Sequence, residues 1–145
     1  MSSDDLPGPT RIVIPSDPLA VREALRALFD RLTMGHMHDD ARDTAQIVLA
    51  EALNNVVEHA YAKFPGEIDV TIDLSPHGLT CRIMDVGLPM PGAVLPDGIL
   101  EPTSTSDDLP EGGFGWHLIR TLSEDLQYRR EGELNLLTFR ISVKQ

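Results

Sequence analysis

The sequence predicts an α/β sandwich of two layers, built from a mostly antiparallel sheet and a layer of helices. Apolar and polar residues alternate over 68–74, and a second apolar run follows at 79–84 after the turn residues Pro76-His77-Gly78, which indicates a β-hairpin. Helical periodicity precedes this hairpin over about 18–32 and 41–62. Hairpins make neighbouring strands antiparallel, and helices gathered before and between them bury their apolar faces against one sheet.

The elements before the hairpin have recognisable boundaries. Residues 1–10 are expected to form a flexible tail, and residues 11–14 read as a short strand. Ser16 or Asp17 can cap the first helix with a side-chain oxygen, and Pro18 at its first turn is a second signal that the helix starts here. Its apolar residues are expected to face inward, among them Leu19.

A long segment separates the hairpin from the last elements. Residues 86–113 are rich in Pro, Gly, Ser, Thr and Asp, and a connection of this length in a compact domain is typically a functional lid or a disordered segment. A helix is predicted over 115–123, and a second hairpin over 126–128 and 134–143. We therefore expect residues 11–145 to form a single domain with one hydrophobic core.

Composition excludes several classes of function. The chain has 145 residues and a net charge of -11, which argues against general binding to nucleic acids or anionic membranes. An anionic ligand would have to be held by backbone amides, a metal ion or a few local cations. Cys81 is the only cysteine and sits in an apolar run, so we interpret it as a buried strand residue. The N-terminus does not resemble a signal peptide and no apolar run is long enough to span a membrane, so a cytoplasmic protein is expected.

The second predicted helix carries a row of polar side chains. Glu51, Asn55 and His59 are spaced four residues apart and therefore share one helix face. A carboxylate and an amide one turn apart can activate a hydroxyl group and hold a hard cation. A solvated helix face explains the same row, so the interpretation depends on two further segments.

The first of these segments is Asp85-Val86-Gly87, at the end of the second strand of the hairpin. A carboxylate there can accept a hydrogen bond from an amine, and Gly87 allows the backbone to approach a flat ligand closely. A simple Asp-x-Gly turn is the alternative interpretation.

The second segment is Gly112-Gly113-Phe114-Gly115, which leads into the last predicted helix. Backbone N–H groups at such a junction lie at the positive end of the helix dipole and suit a phosphate group, although a flexible hinge would have the same composition. The segment matches neither the dinucleotide-binding glycine pattern nor the Walker A motif.

The order of these segments resembles the GHKL ATPase superfamily, which includes gyrase, sensor histidine kinases and MutL. The resemblance covers roughly residues 11–143 and includes a late Leu-Thr-Phe at 137–139. The runs Glu51-Ala-Leu-Asn-Asn55-Val-Val-Glu-His59-Ala-Tyr61 and Gly112-Gly-Phe-Gly115-Trp-His-Leu-Ile-Arg120 are most similar to the anti-sigma-factor serine/threonine kinases. The implied architecture is the Bergerat-type ATP-binding fold, with a mixed, mostly antiparallel sheet covered on one face by helices and an ATP lid at about 88–113.

The resemblance implies a catalytic base and a metal ligand on the second helix. Glu51 would be the general base that orients a serine or threonine hydroxyl. Asn55 would bind Mg²⁺, which bridges the phosphates of ATP.

The resemblance also implies the remaining nucleotide contacts. Asp85 would accept the adenine amino group, with Thr138 nearby and Gly87 against the base. Gly113 and Gly115 would donate backbone amides to the phosphates.

The implied function is that of an ATP-dependent protein serine/threonine kinase acting as an anti-sigma factor in a partner-switching circuit. Its substrate would be an anti-sigma-factor antagonist with a STAS domain, its second partner a sigma factor or another regulator, and its oligomeric state a homodimer.

One departure from the superfamily pattern is Pro89, which occupies the last position of Asp-x-Gly-x-Gly and removes an amide donor. The Asp-x-Gly-x-Pro form resembles many stand-alone members of the anti-sigma kinase group, so we interpret it as a feature of that subfamily. Together with the acidic residues Asp107, Asp108 and Glu111, Pro89 is also the main support for the alternative, a nucleotide-binding module that regulates only by sequestering a partner. An ATPase without a protein acceptor would need the same Glu51.

Overall fold

The computed structural model describes residues 8–32, 37–97 and 113–142, and in this part of the chain five strands and three α-helices are formed. In chain order the elements are β1 (Thr10–Pro15), α1 (Pro18–Leu32), α2 (Asp39–Asn55), a π-helical segment (Val56–Ala60), β2 (Glu67–Ser75), β3 (Gly78–Asp85), a short 3₁₀ turn (Pro91–Ala93), α3 (Gly113–Leu122), β4 (Glu124–Glu131) and β5 (Leu134–Ile141).

The strands form one sheet in the order β1-β2-β3-β5-β4, and every pairing among them is antiparallel. The register of the central pair places Asp85 of β3 opposite Asn135 of β5, and Arg130 of β4 is opposite Asn135 in turn. These three residues therefore form one row across the sheet at the end of β3.

The start of α1 follows from its capping residue. The Asp17 carboxylate accepts a hydrogen bond from the Ala20 N–H at 3.1 Å, which satisfies one of the unpaired amides of the first turn. Ser16 instead joins two strand ends, because its N–H and its Oγ both bond to the backbone of Gly66 at 2.9 Å. Of the two predicted caps, Asp17 is the one that is used.

The second predicted helix is longer at its start and changes geometry near its end. It begins at Asp39, where Asp39 and Asp40 place negative charge at the positive end of the helix dipole. After Asn55 the hydrogen bonding becomes π-helical up to Ala60. Such widened turns occur mostly as single insertions in α-helices and often at functional sites.

The core lies between the helix layer and one face of the sheet. The side chains facing it are apolar and nearly all aliphatic, and the largest of them that are fully buried include Phe29, Leu49, Leu53, Ile68, Ile72, Leu79, Ile83, Ile119 and Phe139. Cys81 is fully buried in the same layer. Leu19 does not belong to it: its side chain is 67% exposed, and Val21 occupies the inward position instead.

β4 is irregular where it begins. Its register against β5 shifts between Glu124 and Gln127, and Asp125 within the shift has a φ of 56°, a left-handed conformation that is uncommon for residues other than glycine. Beyond the shift, Gln127, Arg129 and Glu131 point away from the helices and are exposed. The structure thus contains a β-bulge at the start of β4.

The predicted sandwich with an antiparallel sheet and helices over one face is confirmed. The tail predicted for 1–10 ends one residue earlier, since Thr10 already pairs with Ile72, and residues 1–7 lie outside the described part. Most of the segment predicted as a lid, residues 98–112, also lies outside it. Within the described ranges, none of the helices has the length and hydrophobicity that crossing a membrane requires.

Candidate active site

A cleft opens between the C-terminal half of α2, the ends of β3 and β5, and the segment that follows β3. Its empty space amounts to about 440 Å³ when the solvent at its open mouth is included. Its walls are mostly apolar, with a few polar side chains among them. The lining residues are Ala52, Asn55, Val56, His59, Ala60, Asp85, Leu88, Pro89, Met90, Pro91, Trp116, Tyr128, Asn135 and Leu137.

Asn55 is a buried amide that lines this cleft. Its residue surface is only 6% exposed, and its Nδ2 donates a hydrogen bond to the Glu51 carbonyl oxygen at 2.9 Å. That acceptor fixes the orientation of the amide, because only the nitrogen can donate. The Oδ1 atom accepts no hydrogen bond from the described residues, so a buried oxygen remains for a ligand.

The first turn of α3 packs directly over Glu51 and Asn55. Gly115 is buried there, and a Cβ atom at this position would lie 2.7 Å from Glu51 Oε2 and 3.4 Å from Asn55 Nδ2. α3 begins at Gly113, so the N–H groups of its first turn have no partner within the helix. The arrangement combines a carboxylate, an amide oxygen and the positive end of a helix dipole.

Asp85 also lines the cleft and is 6% exposed. Its Oδ1 accepts two hydrogen bonds, from the Gly87 N–H at 2.8 Å and from Asn135 Nδ2 at 2.7 Å, and Oδ2 accepts none from the described residues. Burial raises the pKa of the Asp85 carboxyl group, while these two donors and the charge of Arg130 oppose that rise. A carboxylate with one oxygen left for a ligand can recognise an amine.

Asn135 is the polar neighbour of Asp85, and the prediction of Thr138 for this place is wrong. Successive residues of a strand point to opposite faces, and Leu137, Phe139 and Ile141 of β5 are buried against the helices. By the same alternation Asn135 faces the helix side, whereas Thr138 lies on the other face, between Arg82 and Gln127. Counting back by twos from Phe139 would have identified Asn135 in the sequence.

The packing around Gly87 requires a glycine whether or not this residue contacts a base. A Cβ atom on Gly87 would overlap the carbonyl group of Ala60, and the next residue, Leu88, donates its N–H to that carbonyl at 2.7 Å. Gly87 is not among the residues that line the cleft. It is small because two backbone segments meet there.

His59, the third member of the predicted row, lies in the π-helical segment and lines the same cleft as Asn55. The π-helical segment has more residues per turn than an α-helix, so four residues no longer bring a side chain back above the previous one. His59 is exposed at the cleft, with no hydrogen bond to its side chain among the described residues.

The wall segment, residues 86–90, is fixed from two sides. The Tyr61 hydroxyl accepts a hydrogen bond from the Val86 N–H at 3.0 Å and donates to the Glu67 carbonyl at 2.6 Å. On the other side, the Tyr128 hydroxyl accepts from the Met90 N–H at 3.0 Å. Pro89, which lacks an N–H, sits between these anchored positions and lines the cleft.

A metal ion in this cleft would be held by few protein atoms. Across residues 8–32, 37–97 and 113–142, no group of three His, Cys, Asp or Glu side chains could hold a metal ion. The unused Asn55 Oδ1 next to Glu51 suits a hard cation that takes its other oxygen ligands from a bound phosphate and from water. The donor set therefore fits Mg²⁺ carried by a nucleotide better than a permanently bound metal.

Comparisons with known proteins identify the family of this chain. The histidine kinase-like ATPase domain family matches residues 14–141. "Serine-protein kinase RsbW" of Bacillus mycoides is 34% identical over 115 residues, covering 77% of this chain and 71% of the relative. The protein of the same name from Bacillus cereus is 35% identical over 118 residues, with the same coverage.

One solved structure is similar at a lower level. The Acinetobacter baumannii histidine kinase AdeS is 21% identical, with a TM-score of 0.46, and the match covers 98% of this chain and 71% of that chain.

Proposed function

Because the chain belongs to the histidine kinase-like ATPase domain family, we propose that it is an ATP-dependent protein serine/threonine kinase that acts as an anti-sigma factor in a partner-switching circuit. The observation that carries this proposal is that one cleft is lined by both Asn55 and Asp85, each buried and each with one oxygen atom unused. One end suits an amine-bearing base and the other suits metal-bound phosphates.

At the Asp85 end, the adenine base of ATP would lie between apolar walls. Its exocyclic amine would donate to Asp85 Oδ2, which the described residues leave without a donor. Val56, Trp116 and Leu137 supply apolar surface along the same cleft. Burying a flat base against such walls stabilises binding, and one directional hydrogen bond provides its specificity.

At the Asn55 end, the phosphates would lie near the start of α3. Gly113 and Gly115 would donate backbone amides, and the dipole of α3 favours the negative charge. Asn55 Oδ1 would hold Mg²⁺, and the ion, when bound, supplies charge neutralisation between the phosphate oxygens. This group of contacts would hold a polyanion on a protein whose net charge is -11.

Glu51 would act as the base in phosphoryl transfer. Its carboxylate accepts the proton of a serine or threonine hydroxyl, and the hydroxyl oxygen forms a bond to the γ-phosphorus of ATP. The bond between that phosphorus and the β–γ bridging oxygen breaks, which leaves ADP. The proposal is supported by the contact between Glu51 and Gly115, because it brings the carboxylate beside the predicted phosphate site.

The partners are part of the same proposal. The acceptor would be an anti-sigma-factor antagonist with a STAS domain, and the second partner would be a sigma factor or another regulator bound by a homodimer of this chain. Relatives named "Serine-protein kinase RsbW" support a protein serine as the acceptor. The proposed setting is the cytoplasm, where ATP and Mg²⁺ are available.

The proposal also covers the organisation of the chain. Residues 11–145 would form one ATPase domain behind a flexible N-terminal tail, and residues of about 88–113 would be the ATP lid. The anchored wall segment supports this, since it provides a fixed base from which a lid can extend.

Calorimetric titration of Mg²⁺-ATP into the protein tests the nucleotide site. Asp85→Asn is expected to weaken binding at least tenfold, because an amide nitrogen replaces the acceptor for the adenine amine. Asp73→Asn is the matched control, since Asp73 is an exposed carboxylate on β2. Asn55→Ala should remove the Mg²⁺ dependence of binding, and Asn54→Ala, one residue away, should not.

Transfer of the γ-phosphoryl group to a STAS-domain protein tests the kinase activity. Glu51→Gln should reduce the transfer rate at least hundredfold while ATP binding persists, whereas Glu58→Gln, on an exposed carboxylate of the π-helical segment, should leave it unchanged. ATP binding without transfer to any hydroxyl acceptor would support the sequestering module. If the wild-type protein binds no ATP, the kinase proposal is wrong.

A further inference from the structure

Asn135 connects the predicted adenine site to two side chains of β4. Its Nδ2 donates to Asp85 Oδ1 at 2.7 Å, and its Oδ1 accepts from the Tyr128 hydroxyl at 2.6 Å and from Arg130 Nη1 at 3.1 Å. Asn135 is only 5% exposed. We infer that Asn135, oriented by Tyr128 and Arg130, is the positioning residue that makes the cleft select an amine-bearing base. This inference rests on the proposed ATP site.

The two donors from β4 leave the Asn135 amide only one orientation. Arg130 has no acceptor atom, so the atom facing it must be the amide oxygen. The Tyr128 hydroxyl already accepts from the Met90 N–H, and its own proton therefore goes to Asn135. The Asn135 nitrogen is thus directed at Asp85.

The fixed amide in turn fixes the Asp85 carboxylate. Oδ1 is occupied by Asn135 and by the Gly87 N–H, so the carboxylate is held in one rotamer with Oδ2 as the remaining acceptor. Burial raises the pKa of the Asp85 carboxyl group, and both donors oppose that rise. An ionised, oriented carboxylate accepts a hydrogen bond from an exocyclic amine and repels the oxygen of a 6-oxo purine. The network therefore determines which base can bind.

The same network holds the cleft wall against which the base would lie. Asn135 Nδ2 also donates to the Leu88 carbonyl at 2.9 Å, and Arg130 Nη1 donates to the Gly87 carbonyl at 2.8 Å. Without Asn135, Asp85 would lose one of its two donors, and the wall segment would lose one of its ties to the sheet. Loss of Asn135 should therefore lower the ratio of ATP affinity to ITP affinity, and not only weaken the binding of both nucleotides.

The test compares the binding of Mg²⁺-ATP and Mg²⁺-ITP by calorimetry, because the two nucleotides differ at the 6-position of the purine. The wild-type protein should bind ATP at least a hundredfold more tightly than ITP, since an oxo group at Asp85 leaves buried polar atoms unpaired. Asn135→Ala should reduce this ratio at least tenfold. Tyr128→Phe, which removes only the hydroxyl group, should reduce the ratio about threefold to tenfold. This variant replaces Asn135→Ala in the test if Asn135→Ala does not fold.

Gln127→Ala is the control, since Gln127 is an exposed amide on the outer face of β4. It should leave the ratio unchanged. If Asn135→Ala and Tyr128→Phe weaken both nucleotides equally, the residues are merely structural and the inference is overturned, although the ATP site stands. A wild-type protein that does not distinguish ATP from ITP also overturns it. Failure to bind ATP at all would overturn the proposed function together with the inference.

Discussion

Gly115 lies so close to Glu51 that a Cβ atom on the glycine would be 2.7 Å from the carboxylate oxygen Oε2. The two residues belong to different helices, α3 and α2, and their approach brings the predicted base under the predicted phosphate site. The missing side chain is therefore a geometric requirement of the site.

Gly115→Ala should separate catalysis from base recognition. Alanine stabilises a helix by up to about 1 kcal/mol relative to glycine, but here its methyl group would displace Glu51 or α3. We expect a fall of tenfold or more in phosphoryl transfer, because displacements of about 1 Å affect rates strongly. ATP binding should fall by a smaller factor than the transfer rate, because the contacts of the base at Asp85 are unchanged. Thr121→Ala, on an exposed position of α3, is the control, and an unchanged transfer rate in Gly115→Ala would contradict the close contact.

Asp85→Asn should make the ligand-free protein more stable at neutral pH. Burial raises the pKa of Asp85 in the folded state, so its contribution to stability is complete below the pKa of the unfolded chain and is lost as pH rises through the folded-state pKa. Asparagine keeps the Oδ1 acceptor used by Gly87 and Asn135 without a buried charge.

Urea unfolding at several pH values measures this effect. At pH 7 the free energy of unfolding of Asp85→Asn should exceed that of the wild type by on the order of 1 kcal/mol, as is common when a functional group is removed from a site. The difference should shrink as pH falls through the folded-state pKa of Asp85 and should level off below about 4, the pKa of the unfolded chain. A variant that is less stable at pH 7 would show that the ionised carboxylate stabilises the fold.

Tyr61→Phe should destabilise the protein by about 1–2 kcal/mol, because the hydroxyl group bridges the Glu67 carbonyl and the Val86 N–H and both would lose their partner. The ring itself packs against Gly66, where a Cβ atom would overlap it, so the loss isolates the hydroxyl group. Thermal unfolding provides the measurement, and Phe64→Leu, at an exposed ring nearby, should cost less. Equal losses in the two variants would argue against the bridge.

Cys81 should report global unfolding. Its side chain is fully buried in β3, and burial raises the pKa of its thiol, so both access and thiolate formation are suppressed. An aromatic disulfide reagent should label the native protein orders of magnitude more slowly than the urea-unfolded chain, at a rate that follows the unfolding equilibrium. Rapid labelling of the native state would mean that the sheet opens locally at β3.

Much of the fold could be predicted, because strong periodicity and clear turn residues mark β2, β3 and α1. The neighbours of the site residues were harder to predict from the sequence. The position of Asp85 at a strand end is visible in the sequence. The late Leu-Thr-Phe motif indicates Thr138 as its neighbour, whereas the alternation of buried and exposed residues in β5 places Asn135 on the same face as Phe139. The π-helical segment has no sequence signal, because one additional residue per turn is decided by packing.

The bulge at the start of β4 affects whether the sheet can associate with other chains at high protein concentration. A straight outer strand offers a row of unpaired backbone groups to another chain and can seed fibrous association. At β4, the left-handed Asp125 and the shifted register interrupt that row, and Arg129 and Glu131 place charges beside it. The sheet is therefore poorly suited to growth by strand addition from this side, and the protein should tolerate high concentration without forming β-aggregates through β4.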